Sequence, residues 1–117
     1  MKKINLAITG CMGRMGQQFI KSSNKNKNFK LISLTENRLV NKKFNGIKPQ
    51  FNSDKAFKKA DVIIDFTVPN CTFEILKIAS KLKKRVVIGT TGFTKKEESL
   101  IKKFSKKIPI LKAGNMS

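Results

Sequence analysis

The sequence predicts an α/β chain built on a doubly wound parallel sheet. Short apolar runs alternate with amphipathic stretches of helical length along the chain. A glycine turn, Gly10-Cys11-Met12-Gly13-Arg14-Met15-Gly16, separates the first apolar run from the first amphipathic stretch. Segments rich in glycine, threonine and asparagine recur where later apolar runs end. Strands that alternate with helices pair in parallel and are covered on both faces.

The first strand is expected over residues 3–9, where Ile4, Leu6 and Ile8 alternate. A helix over 14–25 follows, with Met15, Phe19 and Ile20 on one face. The polar stretch 24–28 turns the chain into a second strand over 29–35, carrying Phe29, Leu31, Ile32 and Leu34. Residues 37–50 read as a loop rich in Lys and Asn, with Gly46 and Pro49 as breakers. A short helix over 53–59 starts on Ser53, a residue suited to the N-cap, with Asp54 in the first turn.

The run 62–66 is a strongly apolar strand. Pro69 opens the next helix, to about Leu82, with Ile75, Leu76, Ala79 and Leu82 at helical spacing. A strand over 85–89 leads to a helix capped by Thr94 and running to about Lys106, with Leu100, Ile101 and Phe104 inward. A last strand covers 108–112. The 117 residues suffice for one domain with its own core, and residues 1–117 read as a single domain, its first glycine turn of the kind that binds a dinucleotide.

Composition excludes several classes. Hydrophobic residues make up 39%, too many for a disordered chain, and no apolar run nears the ~20 residues that span a bilayer. Met1-Lys2-Lys3 precedes an apolar stretch too short for a signal peptide, so a cytoplasmic protein without a membrane partner is expected. Cys11 and Cys71 stand far apart in a chain without histidine, which leaves no metal spacing and favours reduced thiols. The 26 basic and 7 acidic residues give a net charge of +19. Such a charge attracts polyanions at low salt. The lysines, however, are scattered, and no aromatic-basic stacking pattern accompanies them, so no specific nucleic-acid partner is expected.

The glycine turn carries the chemistry. Gly10 permits a sharp exit from the strand, Gly13 leaves room for a pyrophosphate at the backbone, and Gly16 allows close packing of helix on sheet. Unpaired N–H groups at the helix start then bind the phosphates. The spacing G-x-x-G-x-x-G is one residue off the commonest Rossmann-type pattern but keeps its mechanism. Arg14 in the first turn opposes the helix dipole by about 0.3–1 kcal/mol, which an anionic ligand would offset; an exposed arginine without a role reads equally well. Glu36 follows Gly16 by twenty residues, where an acid takes the hydroxyls of an adenine ribose. The bland alternative is a solvated strand end.

Three further segments fall at carboxyl ends of strands, where doubly wound sheets bind ligands: Asp65-Phe66-Thr67-Val68-Pro69, Gly89-Thr90-Thr91-Gly92-Phe93 and Ala113-Gly114-Asn115-Met116-Ser117. Small and hydroxylated residues there open main-chain groups to a ligand, and Phe66 suits packing against a nicotinamide ring. Each segment alone also reads as ordinary turn chemistry.

Taken together, residues 10–16, Glu36, Asp65-Phe66-Thr67, Gly89-Thr90-Thr91-Gly92-Phe93 and Asn115-Met116-Ser117 resemble the dihydrodipicolinate reductases of lysine and diaminopimelate biosynthesis. The resemblance covers essentially the whole chain. It implies that Gly10, Cys11, Met12, Gly13, Arg14 and Met15 cradle the pyrophosphate and that Glu36 holds the adenosine ribose. It also implies that Gly89, Thr90, Thr91, Ala113, Gly114, Asn115 and Met116 line the nicotinamide side. The family reduces a cyclic imine-type substrate, 4-hydroxy-tetrahydrodipicolinate, with NADH or NADPH, usually as a homotetramer.

Two departures qualify the resemblance. In members that use NADPH well, an arginine often follows the acidic residue; here Asn37 does, and Arg38 comes one later. Glu36 repels a 2′-phosphate, so NADH is expected, with NADPH use left open. The family also continues into a substrate domain with paired histidines and a catalytic lysine. This sequence has no histidine and no lysine in a matching motif. The expectation is a cofactor-binding half, a fragment without catalytic residues of its own and inactive alone. The alternative is a Rossmann-type nucleotide-sensing module without catalysis, which leaves residues 89–93 and Asn115 unexplained.

Overall fold

The computed structural model describes residues 2–113. Nine elements alternate: β1 Ile4–Thr9, α1 Arg14–Asn24, β2 Phe29–Thr35, α2 Asp54–Phe57, β3 Val62–Asp65, α3 Pro69–Leu82, β4 Arg85–Ile88, α4 Lys95–Phe104 and β5 Ile110–Lys112. The strands form one sheet in the order β2-β1-β3-β4-β5, and every pair is parallel. The chain builds outward from β1 to β2, then crosses back to lay β3 on the other side of β1. That reversal opens a crevice at the carboxyl ends of β1 and β3.

Alternation along each strand divides the core. Leu6, Ile8, Leu34 and Ile64 point to the face that carries Ile20 and the half-buried Phe19 of α1. Ala7, Ile63, Val86 and Ile88 point to the other, where Phe57 of α2, Ile75 and Leu76 of α3 and Ile101 of α4 pack. Full burial of such a side chain stabilises the fold by about 1.5–3 kcal/mol. No helix among the described residues is long and apolar enough to cross a membrane.

Several expected boundaries move. The last strand begins at Ile110 rather than 108: the Ile108 N–H still donates to Phe104 O at the end of α4, and Pro109 has no N–H to give a ladder. Ser53 caps α2 as expected, accepting from Ala56 N at 3.0 Å, but the helix closes after Phe57. Leu100, expected inward, is 42% exposed, because α4 turns Ile101 and the half-buried Phe104 to the core instead. Residues 37–50 contain a tight hairpin turn: Phe44 and Ile47 exchange both main-chain bonds around Asn45 and Gly46, each at positive φ. Phe44 and Ile47 then pack on the α1 side of the core.

Candidate functional site

Register alone gathers most of the site. Thr35, Thr9, Asp65, Ile88 and Lys112 pair across all five strands in one row. The next residue in each strand is Glu36, Gly10, Phe66, Gly89 or Ala113, so five sequence-separated candidates share one edge of the sheet. Ala113 is held there by its N–H on Ile88 O at 2.8 Å. Gly114, Asn115 and Met116 lie outside the described residues.

The turn after β1 owes its shape to two glycines. Gly10 has φ +63°, and a Cβ there would stand 2.1 Å from Phe66 O. A Cβ on Gly16 would stand 2.4 Å from Gly10 O and 2.9 Å from Cys11 Cα. Gly16 is thus required by the turn's own backbone, not by close packing of the helix on the sheet. Gly13 differs: its Cβ would meet only Gly10 O, at 3.4 Å, so the space beside it is open.

The main-chain donors of the turn divide in the same way. Cys11 N donates to Thr35 O, Gly13 N to Gly10 O, and Met12 N to Glu36 Oε2 at 3.0 Å. The Cys11 thiol is fully buried in the core, so neither it nor its N–H faces a ligand. Burial first and the Glu36 charge second push that thiol up to about 11. α1 starts on Gly13 with no side-chain cap and no acid in its first turn. Among the described residues nothing accepts from Arg14 N or Met15 N. Arg14 itself is exposed and Met15 half-buried.

Glu36 reaches over this turn. Its Oε2 takes Met12 N and its Oε1 takes Asn37 N, also at 3.0 Å. Each carboxylate oxygen keeps a lone pair for another donor. Its backbone is fixed from the far side, where Glu36 N donates to Gln50 O and Gln50 N to Leu34 O. A cavity of about 210 Å³ opens beside it, with Gly10, Gly13, Glu36 and Asn37 on one wall and Phe66, Thr67, Val68 and Cys71 on the other. Arg38 lines a neighbouring depression with Lys48 and Phe51 instead. Burial raises the Cys71 thiol above its ordinary range.

Phe66 is half-buried and leans on Phe19, with ring centroids 5.5 Å apart. It fills the space over Gly89, where a Cβ would stand 2.4 Å from its Cε1. Thr90 is buried and its side chain points inward, accepting from Thr67 N and donating to Asp65. Its side chain is therefore spent within the protein, whereas Thr91 is exposed. Sequence reasoning missed Asn37 and Cys71 as cavity walls and missed the Met12–Glu36 bond. None of these carries a motif; only the folded turn brings them together.

A cavity, open helix N–H groups and a carboxylate with spare acceptors lie at one crevice. The model of the family described as "Dihydrodipicolinate reductase, N-terminus" matches residues 4–116. The chain belongs to that family. A dihydrodipicolinate reductase relative from Pelagibacter ubique, named 4-hydroxy-tetrahydrodipicolinate reductase, is 77% identical over 117 residues, covering 100% of this chain and 45% of its own length. The protein of the same name from Bdellovibrio bacteriovorus is 43% identical over 117 residues, covering 100% of this chain and 46% of its own. The dipicolinate-bound dihydrodipicolinate reductase of Paenisporosarcina sp. TG-14 superposes with a TM-score of 0.78 at 26% identity, over 97% of this chain and 48% of that one. The chain thus spans a little under half the length of these reductases. Their names give no support to a nucleotide-sensing module without catalysis.

Proposed function

We propose that this chain is the dinucleotide-binding domain, residues 1–117, of a cytoplasmic reductase that uses NADH to convert 4-hydroxy-tetrahydrodipicolinate to tetrahydrodipicolinate. Glu36, drawn over the glycine turn by Met12 N, is the observation that carries the reading. Its two oxygens keep acceptor sites for the two hydroxyls of an adenosine ribose. The adenosine then sits in the cavity between Glu36 and Val68. The pyrophosphate lies beside Gly13, on the N–H groups of Arg14 and Met15, where the α1 dipole favours negative charge. Arg14 adds a cation next to it.

A nicotinamide cofactor held in this way would supply a hydride. The chain's own residues bind and orient it: Phe66, over Gly89, walls the crevice towards β4, and the main chain of Gly89, Thr90, Thr91 and Ala113 meets its nicotinamide side. Gly114, Asn115 and Met116 complete that side by family resemblance. Substrate contacts and the proton that completes the reduction belong to the family's second domain, and the assembled enzyme is a homotetramer. Residues 1–117 alone are expected not to turn substrate over.

NADH is preferred because a 2′-phosphate would meet the Glu36 carboxylate, while Arg38 lines a different depression. Nicotinamide fluorescence during titration of the chain with NADH and NADPH tests this. NADH is expected to bind tighter. Glu36→Gln, which keeps one acceptor for Met12 N, should weaken NADH about tenfold, the ~1.4 kcal/mol of a charged hydrogen bond, and narrow the gap between the two. Absence of saturable binding by folded chain overturns the cofactor assignment; tighter NADPH binding overturns the preference alone.

A further inference from the structure

A fully buried carboxylate, Asp65, stands behind the crevice with no salt-bridge partner among the described residues. Four threonine hydroxyls converge on it from four places in the fold. Thr9, ending β1, donates to Oδ1 at 2.7 Å, and Thr67, after β3, donates to the same oxygen at 2.6 Å. Thr72, in the first turn of α3, donates to Oδ2 at 2.5 Å, and Thr90, after β4, at 3.0 Å. Other acceptors lie farther away: Val68 O is 3.3 Å from both Thr67 and Thr72, and Ile64 O is 3.5 Å from Thr9. The carboxylate accepts only, so it determines where each of these hydroxyl hydrogens points. With its hydrogen on Asp65, Thr90 Oγ1 presents a lone pair to Thr67 N at 2.8 Å. The loop after β4 is thereby tied to the loop after β3 through one side chain.

We infer that Asp65 is a positioning residue that, through the Thr90 hydroxyl, sets the main chain of residues 89–91 against the cofactor. The inference rests on the nicotinamide side being read there, as proposed above. Four donated hydrogens and the amino end of α3 supply the positive potential that a buried carboxylate needs. Asparagine at this position offers one acceptor oxygen instead of two and turns an N–H₂ on two of the hydroxyls. The adenosine half depends chiefly on Glu36 and the start of α1, which Thr90 does not touch; Thr90 reaches the opposite wall of that cavity only through Thr67 N.

The test compares NADH with ADP-ribose, which lacks the nicotinamide, by calorimetry on the 117-residue chain, with melting curves alongside. Thr90→Val should weaken NADH at least fivefold and ADP-ribose less than twofold, and Thr90→Ser should restore NADH binding. In an Asp65→Asn background, Thr90→Val should cost no further NADH affinity. Unchanged NADH binding in Thr90→Val, equal losses for both ligands, or additive losses in the double variant each overturn the inference. Should Asp65→Asn not fold, the Thr90→Val and Thr90→Ser pair decides alone. Failure of the unmutated chain to bind NADH would instead overturn the cofactor reading.

Discussion

Two helices start at the same edge of the sheet and are finished in opposite ways. α4 is closed by its own side chains: Thr94 accepts from Glu97 N, Glu97 Oε1 accepts from Thr94 N, and Glu98 adds a second acid to the first turn. α1 starts on Gly13 with no side-chain cap, no acid, and Arg14 where the dipole disfavours a cation. A cap is worth about 1 kcal/mol and each first-turn acid about 0.3–1 kcal/mol, so α1 forgoes stabilisation that α4 takes. The buried Gly16, Ile20 and Ser23 hold α1 in place nonetheless. A helix start left open beside a cavity can satisfy its N–H groups with a ligand; one closed by a capping box cannot.

Giving α1 a cap of its own should produce the largest effect. Gly13 has φ −74° and ψ 167°, a conformation any residue adopts, and a Cβ there fits. Gly13→Asp is expected to raise the melting temperature by about 1–2 °C, because an aspartate N-cap gains only about a few tenths of a kcal/mol over glycine. The same change should weaken NADH about a hundredfold, ~2.7 kcal/mol, by placing a carboxylate where the phosphates are proposed to bind. Unaltered NADH affinity would remove the contrast between the two helices.

The converse change is smaller. Thr94→Ala should lower stability by about 1 kcal/mol in a thermal melt and leave the NADH dissociation constant within about twofold. A parallel loss of cofactor affinity would show that the two helix starts are coupled.

A further effect concerns pH at the α1 end. Burial, with Glu36 beside it, raises the Cys11 thiol from 9.0 to about 11, so the fold favours the protonated form. Its contribution is fully present below pH 9 and is lost as pH rises towards 11, because the unfolded chain releases that proton first. Denaturant melts between these values should show a shallower decline for Cys11→Ala than for the unmutated chain.

Much of this was legible in the linear sequence because its signals are local. The period of apolar residues marks strands and helices, Thr94 with Glu97 marks a helix start, and a glycine turn between strand and helix marks the uncapped start of α1. Glu36 was legible through its distance from Gly16. Other features were not, because they depend on contacts between elements. Gly16 faces the turn rather than the sheet; Leu100 faces solvent because helix rotation favours its neighbour. The four threonines around Asp65 are separated by up to 81 residues (Thr9 to Thr90) and share no motif.

By itself, then, the sequence determined the alternation of elements and the open start of α1, since each follows from residues close in the chain; that Glu36 reaches Met12 N was decided by the fold. Only the tertiary structure decided which hydroxyls the buried Asp65 orients and which walls close the cavity. The physical reason is the parallel register: it places Thr35, Thr9, Asp65 and Ile88 in one row, and no local rule of hydrophobic period or turn chemistry specifies which strands become neighbours.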